Sequence, residues 1–73
     1  MPLTIVQAGR RVRFVAVAVD AGHGFQGRLA AMGLVPGVEI EVLRNSLHGP
    51  FLIAVKGSRI MIGRGMAQKI VVE

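Results

Sequence analysis

The clearest pattern in the chain is the strict alternation Val38-Glu39-Ile40-Glu41-Val42, with Val38, Ile40 and Val42 on one side and Glu39 and Glu41 on the other. Period-two alternation is the signature of a strand that covers a core with one face and meets water with the other. Leu43-Arg44 prolongs it towards Asn45-Ser46-Leu47-His48-Gly49-Pro50, a loop too long for a tight hairpin. Residues 51–56 and 59–62 are two further β-rich runs around Gly57-Ser58. A Gly-X pair in that place predicts a two-residue type II′ hairpin, with Val55 opposite Ile60 and Ile53 opposite Ile62 as inward pairs. Leu52, Ala54 and Met61 then share the other face. After a short irregular or single-turn connection over residues 63–68, residues 69–73 form a last strand with Ile70 and Val72 inward.

The first half reads differently. Residues 3–9 are a short lead-in, an edge strand or one helical turn, that packs Leu3 and Val6 on the core. In residues 10–19, Val12, Phe14, Ala16 and Ala18 fall on one face. The other begins with Arg11 and Arg13 and continues as Val15, Val17 and Val19. This predicts a strand that leaves solvent and becomes covered on both sides. Turn residues follow at 20–24, and then Phe25, Leu29 and Met32 at i, i+4, i+7 predict one short helix over 25–32 with these three on its apolar stripe. Gly27 inside it costs about 1 kcal/mol against alanine, which points to close backbone approach by a neighbouring strand. Gly33 supplies the positive φ of a Schellman ending, in which Leu34 folds back on Leu29. Val35-Pro36-Gly37-Val38 then has the residues of a type II turn. Gly33, Pro36, Gly37 and Gly57 are accordingly the expected cap and turn residues.

The expected fold is mainly β: a small barrel of about five strands with one short helix between the first and second. Strands this short hide their edges most economically by closing. Residues 1–73 give room for a single domain with one modest core. Apolar residues make up 52% of the chain, yet the only aromatics are three phenylalanines. The core is therefore built from Val, Ile and Leu, with Phe14, Phe25 and Phe51 in core positions. No apolar run approaches the roughly 20 residues that cross a bilayer, and the N-terminus lacks a signal-peptide pattern. A soluble, cytoplasmic chain is the expectation.

Candidate chemistry is sparse. There is no cysteine, so disulfides, thiolate metal sites and thiol nucleophiles are excluded. The carboxylates are Asp20, Glu39, Glu41 and Glu73. Glu39 and Glu41 share a face, but charged side chains in a strand normally keep its outer side wet. With no matched acid and base and no phosphate loop, neither an enzyme nor a cofactor site is expected. His23 and His48 are weak metal candidates at best, since both lie in predicted loops outside any spaced ligand set. Nine basic residues against four acidic ones give a net charge of +5. Such a bias suits nucleic acid, an acidic protein or an anionic membrane surface. Nucleic-acid barrels interleave such charge with exposed aromatics, and this chain has no Tyr or Trp, so nucleic acid is the weaker choice. The outward Leu52, Ala54 and Met61 are either covered by the lead-in or form a docking patch. An exposed edge strand leaves homo-oligomer pairing open.

The run Arg28-Leu29-Ala30-Ala31-Met32-Gly33-Leu34-Val35-Pro36-Gly37 resembles the hallmark R-L-x-x-M-G-L-x-P-G of the FeoA family, small proteins of bacterial ferrous-iron uptake. Leu47-His48-Gly49-Pro50 is similar to the family's L-G-D-P turn, and Ile53-Ala54-Val55 and Ile70-Val71-Val72 agree with its I-x-V patterns. The likeness spans essentially the whole chain. It departs where the family carries Asp before Pro, and at Ile62-Gly63-Arg64-Gly65-Met66-Ala67, where the family has roughly L-R-x-x-E-A. The resemblance implies an SH3-like domain that performs no chemistry and docks on the cytoplasmic part of the membrane GTPase that transports Fe²⁺. Arg28, Leu34, Leu47, His48, Leu52 and Met61 are the expected partner-binding residues. The alternatives are a basic small barrel that binds nucleic acid, or a regulatory domain related to those of metal-dependent repressors.

Overall fold

The computed structural model describes residues 1–18, 23–46 and 48–73, with His23 described in its backbone alone. A 3-10 turn (Leu3–Ile5) leads into β1 (Arg11–Val17), α1 (His23–Ala31), β2 (Glu39–Asn45), β3 (Phe51–Val55), β4 (Ser58–Ile62), α2 (Arg64–Ala67) and β5 (Ile70–Val72). The five strands form one sheet in the order β4-β3-β2-β1-β5, antiparallel at every pairing. The fold is mainly β, with the one longer helix between β1 and β2, as the patterning predicts. The lead-in is a helical turn, and it buries both Leu3 and Val6. They join Phe14, Phe25, Leu29, Ile40, Phe51, Ile53, Ile70 and others in one continuous core.

Two bulges decide which residues reach that core. In β1 the pairing with β5 runs Phe14↔Val72, then Ala16↔Val71 and Val17↔Ile70, so Val15 is an extra residue. An extra residue turns everything beyond it to the opposite face. Val17 is therefore packed on the core, while Ala16 and Val15 are exposed. The expectation that Ala16 continues the inward row, with both faces covered, is corrected. In β2 the pairing runs Val42↔Ile53, then Arg44↔Leu52 and Asn45↔Phe51, which makes Leu43 the extra residue. Without it Arg44 would follow Val42 into the core. With it Arg44 is exposed, and Asn45 shares the face of buried Phe51.

The hairpin is also reset. The observed pairs are Val55↔Ser58, Ile53↔Ile60 and Phe51↔Ile62, two residues from the expected register. Lys56 at φ 51° and Gly57 at φ 82° are the central residues of a type I′ turn. A type II′ turn on Gly57-Ser58 would have set Lys56 opposite Arg59, and like charges facing each other destabilise a ladder. The observed register sets Arg59 opposite Ala54 instead. A slip of two preserves the faces, so Phe51, Ile53 and Val55 stay buried.

The ending of α1 has the expected hydrogen bonds: Gly33 N–H to Ala30 O at 3.0 Å and Leu34 N–H to Leu29 O at 2.9 Å, with Gly33 at φ 93°. Val38 N–H bonds Val35 O at 3.0 Å across the Pro36-Gly37 turn, and Gly37 N–H bonds Phe14 O at 2.8 Å, which fastens the turn to β1. The helix stops at Ala31, so Met32 leaves the apolar stripe and is 43% exposed, while Leu34 is 2% exposed in its stead. Among the described residues nothing lies within 4 Å of where a Cβ on Gly27 would stand, so none of the five strands approaches that glycine.

Candidate docking surface

The outer face of the sheet is set by cross-strand register. One row runs Arg11↔Glu41↔Ala54↔Arg59 across β1 to β4, and the next runs Arg44↔Leu52↔Met61. Directly opposed residues share a face, so these rows place an apolar pair, Leu52 and Met61, between Arg44 and Arg59. Met61 is 69% exposed, the most exposed large apolar side chain among the described residues, and Leu52 is half-buried. Met61 therefore stands uncovered by the lead-in, while Leu52 and Ala54 are half-buried. An open depression on the same face is lined by Arg11, Val38, Glu39, Glu41, Ala54 and Lys56. Arg11 Nε lies 4.0 Å from Glu41 Oε1, both side chains well exposed, a geometry worth little in stability.

The other expected contact residues are scattered. Arg28 is exposed on the last turn of α1, and His48 is exposed in the loop before β3. Leu34 is not available: the Schellman ending folds it into the core, so its assignment as a partner contact is corrected. Leu47 and the His23 side chain lie outside the described residues. Gly33, Gly37 and Gly57 each have positive φ, and Pro36 precedes Gly37 in its turn.

Sequence reasoning missed a polar hub at one end of the sheet. Asn45 Nδ2 donates to the carbonyls of Thr4 at 3.0 Å and Val6 at 2.8 Å. Arg64 Nη1 donates to Asn45 Oδ1 and to the Ser46 carbonyl, both at 2.7 Å, with its guanidinium carbon 5.8 Å from the Phe51 ring centroid. These contacts tie the lead-in, β2, β3 and α2 together. The signal that could have found them is an asparagine where the apolar alternation of β2 ends.

Among the described residues no polar or charged side chain is fully buried, and no three of His, Asp and Glu come together. No helix among them is long and apolar enough to cross a membrane.

Comparison with known proteins agrees over the full length. A sequence model of the FeoA domain matches residues 1–73. A protein of Methanocaldococcus jannaschii assigned as Fe(2+) transport protein A is 44% identical over 72 residues, covering 99% of this chain and 84% of the relative. The crystal structure of an iron uptake regulatory protein, FeoA, superposes with a TM-score of 0.88 at 36% identity, covering all of this chain and 95% of the other. FeoA of Stenotrophomonas maltophilia, solved with zinc and described as a prokaryotic SH3 domain protein, has a TM-score of 0.84 at 24% identity. It covers 100% of this chain and 89% of that one, and at this identity the likeness speaks for the SH3-like fold alone. With the motif, the full-length domain match and the 44% identical relative in agreement, the chain belongs to the FeoA family.

Proposed function

We propose that this chain is a cytoplasmic accessory protein of ferrous-iron uptake, which docks on the cytoplasmic part of the membrane GTPase that moves Fe²⁺ and catalyses nothing itself. The observation that carries this reading is the full-length match to the FeoA domain, joined to the name of the archaeal relative. The surface is in keeping with it: polar groups lie outside, and an exposed methionine and a half-buried leucine sit among arginines on an open sheet face. Apolar centres with a charged rim are how protein contacts are built.

The test is retention of the folded chain by the immobilised soluble, GTPase-bearing part of the transporter from the same organism. Met61→Asp should weaken capture at least about tenfold, or ~1.4 kcal/mol, with the melting temperature little changed. Failure of any transporter fragment to retain the folded wild-type chain would overturn the reading.

A further inference from the structure

We propose that the outer edge of β4 captures an extended, acidic segment of a partner protein as an added strand. The sheet has two ends, and they are treated differently. Beyond β5, Pro2 bridges to Val71; the Met1 amino group donates to Val72 O at 2.9 Å, and Val72 N–H returns a bond to Met1 O at 2.8 Å. That edge is covered by the chain itself. Beyond β4, no described residue pairs.

The hairpin register says which groups are free there. The two-residue turn on Lys56-Gly57 makes Val55 and Ser58 its closing, hydrogen-bonded pair. Antiparallel ladders alternate, so Ser58, Ile60 and Ile62 turn their N–H and C=O groups to β3. Arg59 and Met61 turn theirs outward, where an incoming strand can bond them. Their side chains stand on the outer face, exposed in both cases.

Charge selects the occupant. Among the described residues the ion pair within 4.0 Å is Arg11 with Glu41, so Arg59 on β4 and Lys56 in the turn before it have no carboxylate partner. A second copy would bring Arg59 and a further net charge of +5 against the same cations, which disfavours self-pairing at this edge. A strand whose outward face carries an acidic and an apolar residue two positions apart sets the acid against Arg59 and the apolar residue against Met61. This builds on the reading that the chain acts by contact, but its test needs no transporter, so peptide capture and transporter retention fail independently.

The probe is a synthetic peptide of about eight residues, a typical strand length, whose alternate positions read glutamate, valine, glutamate, valine with threonine between them. Its counterpart has lysine for every glutamate. The acidic peptide should bind at least about tenfold more tightly than the lysine peptide, less so as salt rises. Bound peptide should slow hydrogen exchange at the Arg59 and Met61 amides at least about tenfold, since both become bonded. Met61→Pro removes one outward N–H, which an edge strand tolerates, and should reduce binding at least about fivefold. Should that variant fail to fold, Arg59→Glu should reverse the preference between the two peptides. Equal binding of both peptides, or binding with no added protection in β4, would overturn the assignment. So would binding to vesicles of phosphatidylserine and phosphatidylcholine by a chain that takes neither peptide.

Discussion

Arg64 and Asn45 hold each other across one end of the sheet: the arginine Nη1 donates to the asparagine Oδ1 at 2.7 Å. The same asparagine satisfies the Thr4 and Val6 carbonyls, so the N-terminal turn that buries Leu3 and Val6 depends on it. Asn45→Ala leaves those two carbonyls without their donor and removes one of the two acceptors of Arg64, and should cost about 1–3 kcal/mol. Arg64→Ala should cost less, about 0.5–1.5 kcal/mol, because water can reach Asn45 in its place. The double variant should cost less than the sum of the two single changes, since both remove one shared bond. Thermal melts decide this, with each kcal/mol worth about 4–8 °C in a domain of this size.

Gly27 and Gly33 lie six residues apart and should respond oppositely to alanine. Gly27 is inside α1 with open space around its would-be Cβ, so Gly27→Ala should stabilise by about 0.5–1 kcal/mol. Gly33 sits at φ 93°, and the nearest atom to an added Cβ is Val55 Cγ1 at an ordinary 3.8 Å. The cost of Gly33→Ala is therefore backbone strain rather than collision, about 1–2 kcal/mol. Urea midpoints at constant slope would read both changes.

Leu34 and Met61 are both apolar residues that sequence reasoning assigned to a partner, and they should separate cleanly. Leu34→Asp buries a carboxylate in the core and should cost several kcal/mol, about enough to abolish folding of so small a domain. Met61→Asp should change stability by no more than about 0.5 kcal/mol, because its side chain stands in water. Circular dichroism and melting of the two variants test this directly, and equal loss from both would contradict the burial described above.

Lys56 occupies a left-handed position at φ 51° that asparagine adopts more readily. Lys56→Asn should stabilise the hairpin by about 0.5–1 kcal/mol, a part of the ~1–2 kcal/mol that the left-handed conformation costs an ordinary side chain. A rise of a few degrees in the melting temperature is the expected reading, and a fall would mean that the lysine stem contributes packing along the turn.

The sequence by itself determined the elements whose cause is local. The stop of α1 at Gly33, the Pro36-Gly37 turn, the alternation in β2 and the inward faces of β3 and β5 all follow from residues adjacent in the chain. They could be read because period, φ preference and turn chemistry act over a few residues. The motif carrying the family lay within one such stretch.

Only the tertiary structure decided what depends on a partner strand or a distant segment. The bulges at Val15 and Leu43 swap Ala16 for Val17 and Arg44 for Asn45 at the core, a choice set by pairing with β5 and β3. The hairpin turn moved by one residue, and its register by two, because Lys56 and Arg59 avoid facing each other. The Asn45–Arg64 hub joins residues 19 apart in sequence. That β5 is a covered edge follows from the N-terminal residues returning to it. Register and long-range hydrogen bonds are properties of two segments together, and no single stretch of the chain contains them.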